Sequence, residues 1–253
     1  MPLWLPSHPV RHLPSRIRSV LDMGCNIGAL LSHIRQLRPG IAAFGVDINS
    51  EALRRANETE IVCQSASSSL PFVDGSFECV TCIQVLEHIP REERQATLEE
   101  IHRVLRPGGR LILSTPHVGW TAWADPNNLR FRLPYLHKKL LRQGLRDAGY
   151  GGQREVIWHH HFTVPELSEL LASRPWRLEY RFRSGILAPF LDALGWPFYR
   201  YNKTSSLLLR QIHRLLDWDL SLNAGAAGYN VLLAATKMDP GEGICAGSLG
   251  AAD

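Results

Sequence analysis

The chain has 253 residues, of which 45% are hydrophobic, enough for one α/β domain with insertions around a full core. Its formal charge of +4 is mild, and only four of its 28 basic residues are lysines, so composition gives no concentrated basic face for nucleic acid. No apolar run approaches the roughly 18 residues of a membrane-spanning helix, and none is expected.

Residues 1–16, MPLWLPSHPVRHLPSR, read as an irregular lead-in: prolines stand at three of the first nine positions, and no apolar region suits a signal peptide. Arg16–Leu21 is then a short strand, closed by Asp22 and a turn through Gly24 and Gly28. Ala29–Arg38 is a helix stopped by Pro39–Gly40, and Ile41–Asp47 a second buried strand. Ser50–Asn57 has helical composition with Ser50 as its N-cap. Glu60–Cys63 is a short third strand, followed by a loop with a turn at Asp74–Gly75. Phe77–Gln84 is a fourth strand and Arg91–Leu105 an amphipathic helix. Pro107–Gly108–Gly109 ends that helix before a fifth strand, Arg110–Ser114. The rhythm then breaks: 116–165 is rich in His, Trp, Pro and Arg. Val164–Leu171 reads as a helix, Trp176–Phe182 as a strand, 186–222 as mostly helical, and Gly228–Lys237 as the last strand. The expected division is 1–16 lead-in, 17–237 one domain, and 238–253 a disordered tail rich in Gly, Ala and Ser. Within the domain, 116–165 supplies acceptor-side loops and 186–222 a helical insertion or lid.

Strand alternating with helix at this spacing means a parallel sheet covered on both faces. Such sheets bind ligands at the carboxyl ends of their strands, where the glycine turn, Asp47 and Gln84 all fall. The cysteines, Cys25, Cys63, Cys79, Cys82 and Cys245, are odd in number and scattered, which fits a reducing cytoplasm better than a disulfide framework. Cys79 and Cys82 both lie in the fourth strand. Three positions apart they point to opposite faces, as small core residues rather than a redox pair.

The stretch VLDMGCNIGALL, residues 20–31, raises the question of which nucleotide cofactor it holds. A dinucleotide turn needs a glycine where Asn26 stands, and a P-loop needs a Gly-Lys-Ser/Thr that is absent. Asp22, just before the turn, would repel a pyrophosphate and favour a cation. Asp47 ends the second strand, where a carboxylate can accept from both hydroxyls of a ribose. Together the two acids point to an adenosyl group attached to an amino acid.

These residues carry a resemblance. Over residues 17–118 the chain resembles the class I S-adenosylmethionine-dependent methyltransferases of the type 11 kind. The matching blocks are LDMGCNIG, VDIN, LPFVDGSFECVTCIQVLEHIP and VLRPGGRLILSTPH, in that order. The resemblance implies an α/β, Rossmann-like, doubly wound seven-stranded sheet, mostly parallel with its last strand antiparallel and a helical insertion before that strand. It implies S-adenosyl-L-methionine as cofactor, met by Asp22, Gly24, Cys25, Asn26, Gly28, Asp47, Ile48, Ser65 and Gln84. Two departures stand out. Asn26 replaces the commonest glycine of the turn, and Gln64–Ser65 stands where the family has Gly-Asp. Ser65 offers the adenine amino group a neutral acceptor, weaker by roughly half, so packing on Ile48 gains weight. Family members also carry one or two helices before the first strand, where sixteen residues stand here.

Transfer of a methyl from a sulfonium is an in-line displacement, and alignment alone can supply on the order of 7–11 kcal/mol. A hydroxyl acceptor also needs a base, for which His117, His88 and His160 are the candidates. His117 closes the fifth strand. His88 follows Glu87, in a block where relatives in the ubiquinone pathway use Glu-x-x-Glu-His to hold a metal. Gln84 replaces the first carboxylate, and no metal is expected. The run His159–His160–His161 cannot turn all three rings to one point, so His160 or His161 is the one expected to face the acceptor. Trp120, Trp123, Asp125, Asn128, Arg130 and Phe131 suit a sugar or flat ring, or an ordered loop packed on the domain. The segment 186–222 reads as a lid, as an interfacial patch for lipid-borne substrates, or as a packed insertion.

The expected activity is O-methylation of a small-molecule, glycan or lipid-linked acceptor in the cytoplasm, without nucleic acid and with peripheral membrane contact through 186–222 left open. The alternatives are an RNA or protein methyltransferase and a degenerate methyltransferase-like domain without turnover.

Overall fold

A computed structural model describes residues 10, 12–56, 61–125, 128, 132–133, 159–200 and 205–238. The expected tail beyond Met238, along with Arg130, Phe131 and Cys245, lies outside the described residues. Among the described residues, seven strands form one sheet in the order β3-β2-β1-β4-β5-β7-β6. They are β1 (Ser19–Met23), β2 (Ala42–Asp47), β3 (Ile61–Gln64), β4 (Phe77–Ile83), β5 (Leu105–Pro116), β6 (Trp176–Ser184) and β7 (Asn230–Lys237). The pairs among β1 to β5 are parallel, and β7 runs antiparallel between β5 and β6. This is the doubly wound sheet with a reversed last strand that the sequence implied.

Helices α1 (Ala29–Leu37), α2 (Ser50–Ala56) and α3 (Arg91–Val104) connect the parallel strands. Alternation along the strands splits the core. Leu21, Met23, Val80 and Cys82 join one apolar cluster, while Val20, Cys79 and Ile83 join the other. The two β4 cysteines are therefore core residues on opposite faces, each fully buried. β4, buried along its whole length, is the hub between β1 and β5.

Two local readings change. Ser50 does not cap α2: Asn49 does, its Oδ1 accepting from the N–H groups of Glu51 and Ala52 at 3.1 and 3.2 Å. The Pro-Gly-Gly stretch belongs to β5 instead of a separate turn. Leu105 pairs with Phe77 directly after α3, and a register shift between Phe77 and Cys79 takes up the extra residues.

Beyond β5, α4 (Val164–Leu171) begins with a complete capping box between Thr163 and Glu166. The segment 186–222 holds α5 (Ala188–Arg200) and α6 (Leu207–Ser221). Their inner faces form a third cluster of Ala188, Leu191, Ile212, Leu216 and Leu220 around Tyr229. Their outer faces leave Leu194, Leu207, Leu208, Leu215 and Trp218 exposed. No helix among the described residues is long and apolar enough to cross a membrane.

Candidate functional site

The turn after β1 is tied to the end of β2. Gly24 and Cys25 both donate backbone N–H groups to the Val46 carbonyl, at 2.8 and 3.0 Å. Gly24 (φ +74°), Asn26 (φ +49°) and Gly28 (φ +77°) all occupy the left-handed region. Asn is the side chain that best tolerates that region after glycine, which explains its acceptance at 26. At Gly24 the strain has no alternative outlet, because a Cβ there would run into Val85 Cγ2. Cys25 turns its side chain onto Gly45 and into the core, while its N–H is taken by the Val46 carbonyl and its own carbonyl accepts from the Gly28 N–H at 2.8 Å.

Asp47 Oδ2 accepts from the Asn26 N–H and Oδ1 from the Asn49 N–H, both at 2.8 Å. Asp22 lies beneath the turn, 3% exposed, with Oδ1 bonded to the Thr81 hydroxyl at 2.7 Å. Burial pushes its carboxyl up to about 7, against the pull of the Thr81 hydrogen bond, and the Asp47 charge pushes it further the same way. A cationic ligand would relieve that position. Ile48 stands 52% exposed beside Asp47, an apolar surface suited to a flat base. Ser65 donates its hydroxyl within its own loop, to Ser69 O at 2.7 Å, so its oxygen remains an acceptor. Gln84 has left-handed backbone and directs Nε2 to Ser114 Oγ and Asn230 Oδ1, each at 3.2 Å. Its side chain thus joins the ends of β4, β5 and β7 and does not reach back to the turn.

Beyond the ends of β4 and β5 the histidines separate. His117 is buried at the end of β5, its Nδ1 2.9 Å from the Gly228 carbonyl. That carbonyl can only accept, so Nδ1 carries the proton and Nε2 the lone pair. Burial first, then nearby Arg183, His161 and Arg181, pull its pKa below the usual value against the Gly228 bond. His160 points away, pairing Nε2 with Glu166 Oε1 at 2.8 Å beside α4. His88, partly exposed, lies 4.9 Å from the His159 ring, centroid to centroid.

His159 and His161, two apart on extended chain, turn to the same side and meet Asp125. His159 Nδ1 lies 2.6 Å and His161 Nε2 3.0 Å from the same atom, Asp125 Oδ2. Burial draws the His159 pKa down, but Asp125 and Glu87 together outweigh it and hold the imidazole up at about 9. Asn128 fixes the His159 backbone from both sides, Oδ1 accepting from its N–H at 2.8 Å and Nδ2 donating to its carbonyl at 2.7 Å. Asn128 is thus a scaffold residue, while Trp120 and Trp123 stand well exposed. Glu87 is fully buried, with neither carboxylate oxygen hydrogen-bonded; its Oε1 lies 3.6 Å from His159 Nε2. Two groups, Glu87–His88–His159 and Asp125–His159–His161, each bring their donor atoms within 4.8 Å of one another. The sequence reading singled out His160 or His161 and passed over His159, which the structure brings together with His161 on Asp125. The His-x-His spacing within the run, two side chains on one face of an extended segment, was the signal it carried.

Residues 21–113 match the family model of a methyltransferase domain. The chain is 31% identical over 109 residues to the ubiquinone biosynthesis O-methyltransferase of Pseudomonas paraeruginosa, covering 39% of this chain and 44% of that protein. It is 33% identical over 104 residues to the protein of the same name from Xanthomonas oryzae pv. oryzae, covering 38% and 42%. The chain thus spans less than half the length of the curated relatives it matches. Among solved structures it resembles an SAM-dependent methyltransferase from Methanosarcina mazei, with a TM-score of 0.57, 22% identity, and coverage of 90% of this chain and 95% of that one. A geranyl diphosphate methyltransferase in complex with SAM superposes with a TM-score of 0.57 at 14% identity, over 92% and 84%.

Proposed function

We propose, for a chain that carries a class I S-adenosylmethionine-dependent methyltransferase domain at residues 21–113, that it methylates an oxygen of a small-molecule, glycan or lipid-linked acceptor. The observation that carries the cofactor half is Asp22: a carboxylate buried under a left-handed turn, one strand from Asp47. The residues present fit S-adenosylmethionine. Asp22 and the Gly24–Gly28 backbone suit its amino-acid end, Asp47 its ribose, and Ile48 and Ser65 its adenine. When bound, it supplies a methyl group on a sulfonium.

The chain's own contribution is placement and proton handling. β4 and β5 end side by side, so the residues after them, His88 and His117, flank the acceptor position. His117 takes the acceptor's proton on Nε2. It is suited to this because burial keeps it neutral and the Gly228 carbonyl holds its proton on Nδ1. The names of the curated relatives support oxygen as the methylated atom. Residues 17–237 form one domain in this reading, supported by a single sheet running from Ser19 to Lys237. The free thiols of Cys25, Cys63, Cys79 and Cys82 support a reducing, cytoplasmic setting.

Thermal unfolding with S-adenosylmethionine, S-adenosylhomocysteine, NADH or buffer tests the cofactor. Ligand at about 100 times its dissociation constant adds about 2.7 kcal/mol, a rise of roughly 5–10 °C for a chain of this size. Both adenosyl ligands should shift the transition and NADH should not. Equal curves in all four would overturn the reading.

A further inference from the structure

We propose that Asp125, His159 and His161 form a divalent-metal site, through Asp125 Oδ2, His159 Nδ1 and His161 Nε2. Glu87 holds the other nitrogen of His159 from behind. The three ligands lie outside the residues matched to the methyltransferase domain, and the site stands whether or not a methyl is transferred.

Convergence is the first observation. One carboxylate oxygen faces two imidazole nitrogens, at 2.6 and 3.0 Å. A four-coordinate centre with bonds of about 2.0–2.1 Å holds its ligand atoms roughly 3.3 Å apart, so the two contacts need to open by about 0.7 and 0.3 Å. The two rings are 6.0 Å apart between centroids and inclined at 80°, so neither blocks the other's approach to a shared ion. Asp125 is fully buried and His159 nearly so, which gives the ion a dry, fixed seat.

Glu87 is the second and independent observation. It is a fully buried carboxylate with no hydrogen-bond partner on either oxygen, which is costly for a native protein. Its nearest imidazole atom is His159 Nε2, at 3.6 Å. A histidine that binds metal through one nitrogen characteristically donates its other N–H to a carboxylate, which fixes the ring and its tautomer. With a metal on Nδ1, the one proton left to His159 is on Nε2, the nitrogen that faces Glu87, and a shift of about half an ångström closes that 3.6 Å contact into a hydrogen bond.

Charge points the same way. Asp125 and Glu87 place two carboxylates in the interior. One imidazolium at His159 balances one of them, whereas a divalent cation with neutral histidines balances both. Tyr229 adds a hydrogen bond to Asp125, completing the surroundings of the ligand oxygen. Two imidazoles and one carboxylate select zinc or a neighbouring first-row ion over magnesium or calcium. Three protein ligands leave room for water or an oxygen atom of a small molecule.

The test is cobalt titration of the full chain after chelator treatment, read by the visible absorption of Co²⁺ and repeated in competition with Zn²⁺. One equivalent should bind the parent and His160→Ala. His161→Ala and Asp125→Asn should bind about 100-fold more weakly or not at all. Glu87→Gln should weaken binding by about 10–100-fold, as loss of an orienting partner does. A parent protein that takes up no cobalt, or a folded His161→Ala that binds like the parent, overturns the proposal. Should the variants not fold, X-ray absorption of zinc-loaded parent protein decides it: two imidazoles in the coordination shell sustain the site and fewer refute it.

Discussion

Asp47 Oδ2 accepts a hydrogen bond from the backbone N–H of Asn26 at 2.8 Å. The acid at the end of β2 therefore holds the glycine turn in shape before any ribose arrives. Its other oxygen serves the Asn49 N–H, at the start of α2. Binding and local folding meet in one side chain, so replacing it has two separable effects. Asp47→Ala should abolish the thermal shift with S-adenosylhomocysteine and lower the stability of the unliganded protein by about 1–3 kcal/mol. Asp47→Asn keeps an acceptor and should recover most of that stability without recovering affinity. Denaturant unfolding and calorimetric titration of both variants separate the effects.

Asp22 sets a pH dependence. Its carboxyl titrates at about 7 in the folded chain, above its ordinary 3.8. A raised acid favours folding while protonated, and that advantage is lost as pH rises through the folded value. Between about pH 4 and 7 the unliganded protein should lose about 4 kcal/mol through this one group. The cation-binding form is the carboxylate, so cofactor affinity should rise about tenfold from pH 5.5 to 7. Asp22→Asn should flatten both dependences, as read by unfolding and by titration at matched ionic strength.

Gly24 tests the turn itself. Alanine there meets Val85 and must also adopt a φ of +74°. Gly24→Ala should destabilise the chain by roughly 1–3 kcal/mol and eliminate the ligand-induced shift. Adding Val85→Ala removes the collision but not the backbone cost. The double variant should therefore regain only part of the stability, and full recovery would show that sterics alone demand glycine.

His117 and His160 should behave oppositely. His117→Asn retains a donor toward the Gly228 carbonyl while removing the basic nitrogen. Cofactor binding should stay unchanged and turnover should fall by about 10²–10⁴-fold on any hydroxyl acceptor that supports it. His160→Ala breaks a surface pair with Glu166, typically worth about 0.2–1 kcal/mol, and should leave turnover intact. Product formation measured as S-adenosylhomocysteine release distinguishes the two.

The parallel half of the fold was legible because its signals are local. The apolar runs that become β1, β2 and β4, the acids Asp22 and Asp47 at the ends of β1 and β2, and the glycine punctuation between them all lie within a few residues of what they determine. Small discrepancies arose where a backbone donor chose between neighbours, as with Asn49 over Ser50. The histidine cluster around Asp125 was less legible because its contacts are distant in sequence. Asp125 and His159 are 34 residues apart, and Asn128 and His159 are 31 apart. Nothing in the intervening residues announces that they will meet. The side-chain contacts of Gln84 were not legible for a similar reason. Its partner Asn230 lies 146 residues further on, in a strand whose insertion between β5 and β6 is a property of the whole sheet.

That late insertion also sets an order in time. The donor half of the molecule, β1 to β5, leaves the ribosome first. His117 is held through its backbone N–H by the Tyr229 carbonyl and through Nδ1 by the Gly228 carbonyl, the latter 111 residues downstream. At about 5–20 residues per second, synthesis needs about 6–22 s to deliver those carbonyls. During that interval a nascent chain has its glycine turn and both strand-end acids but no anchored histidine. A chain arrested anywhere before Gly228 stays in that condition permanently, holding the glycine turn and the strand-end acids and lacking the clamp that positions His117.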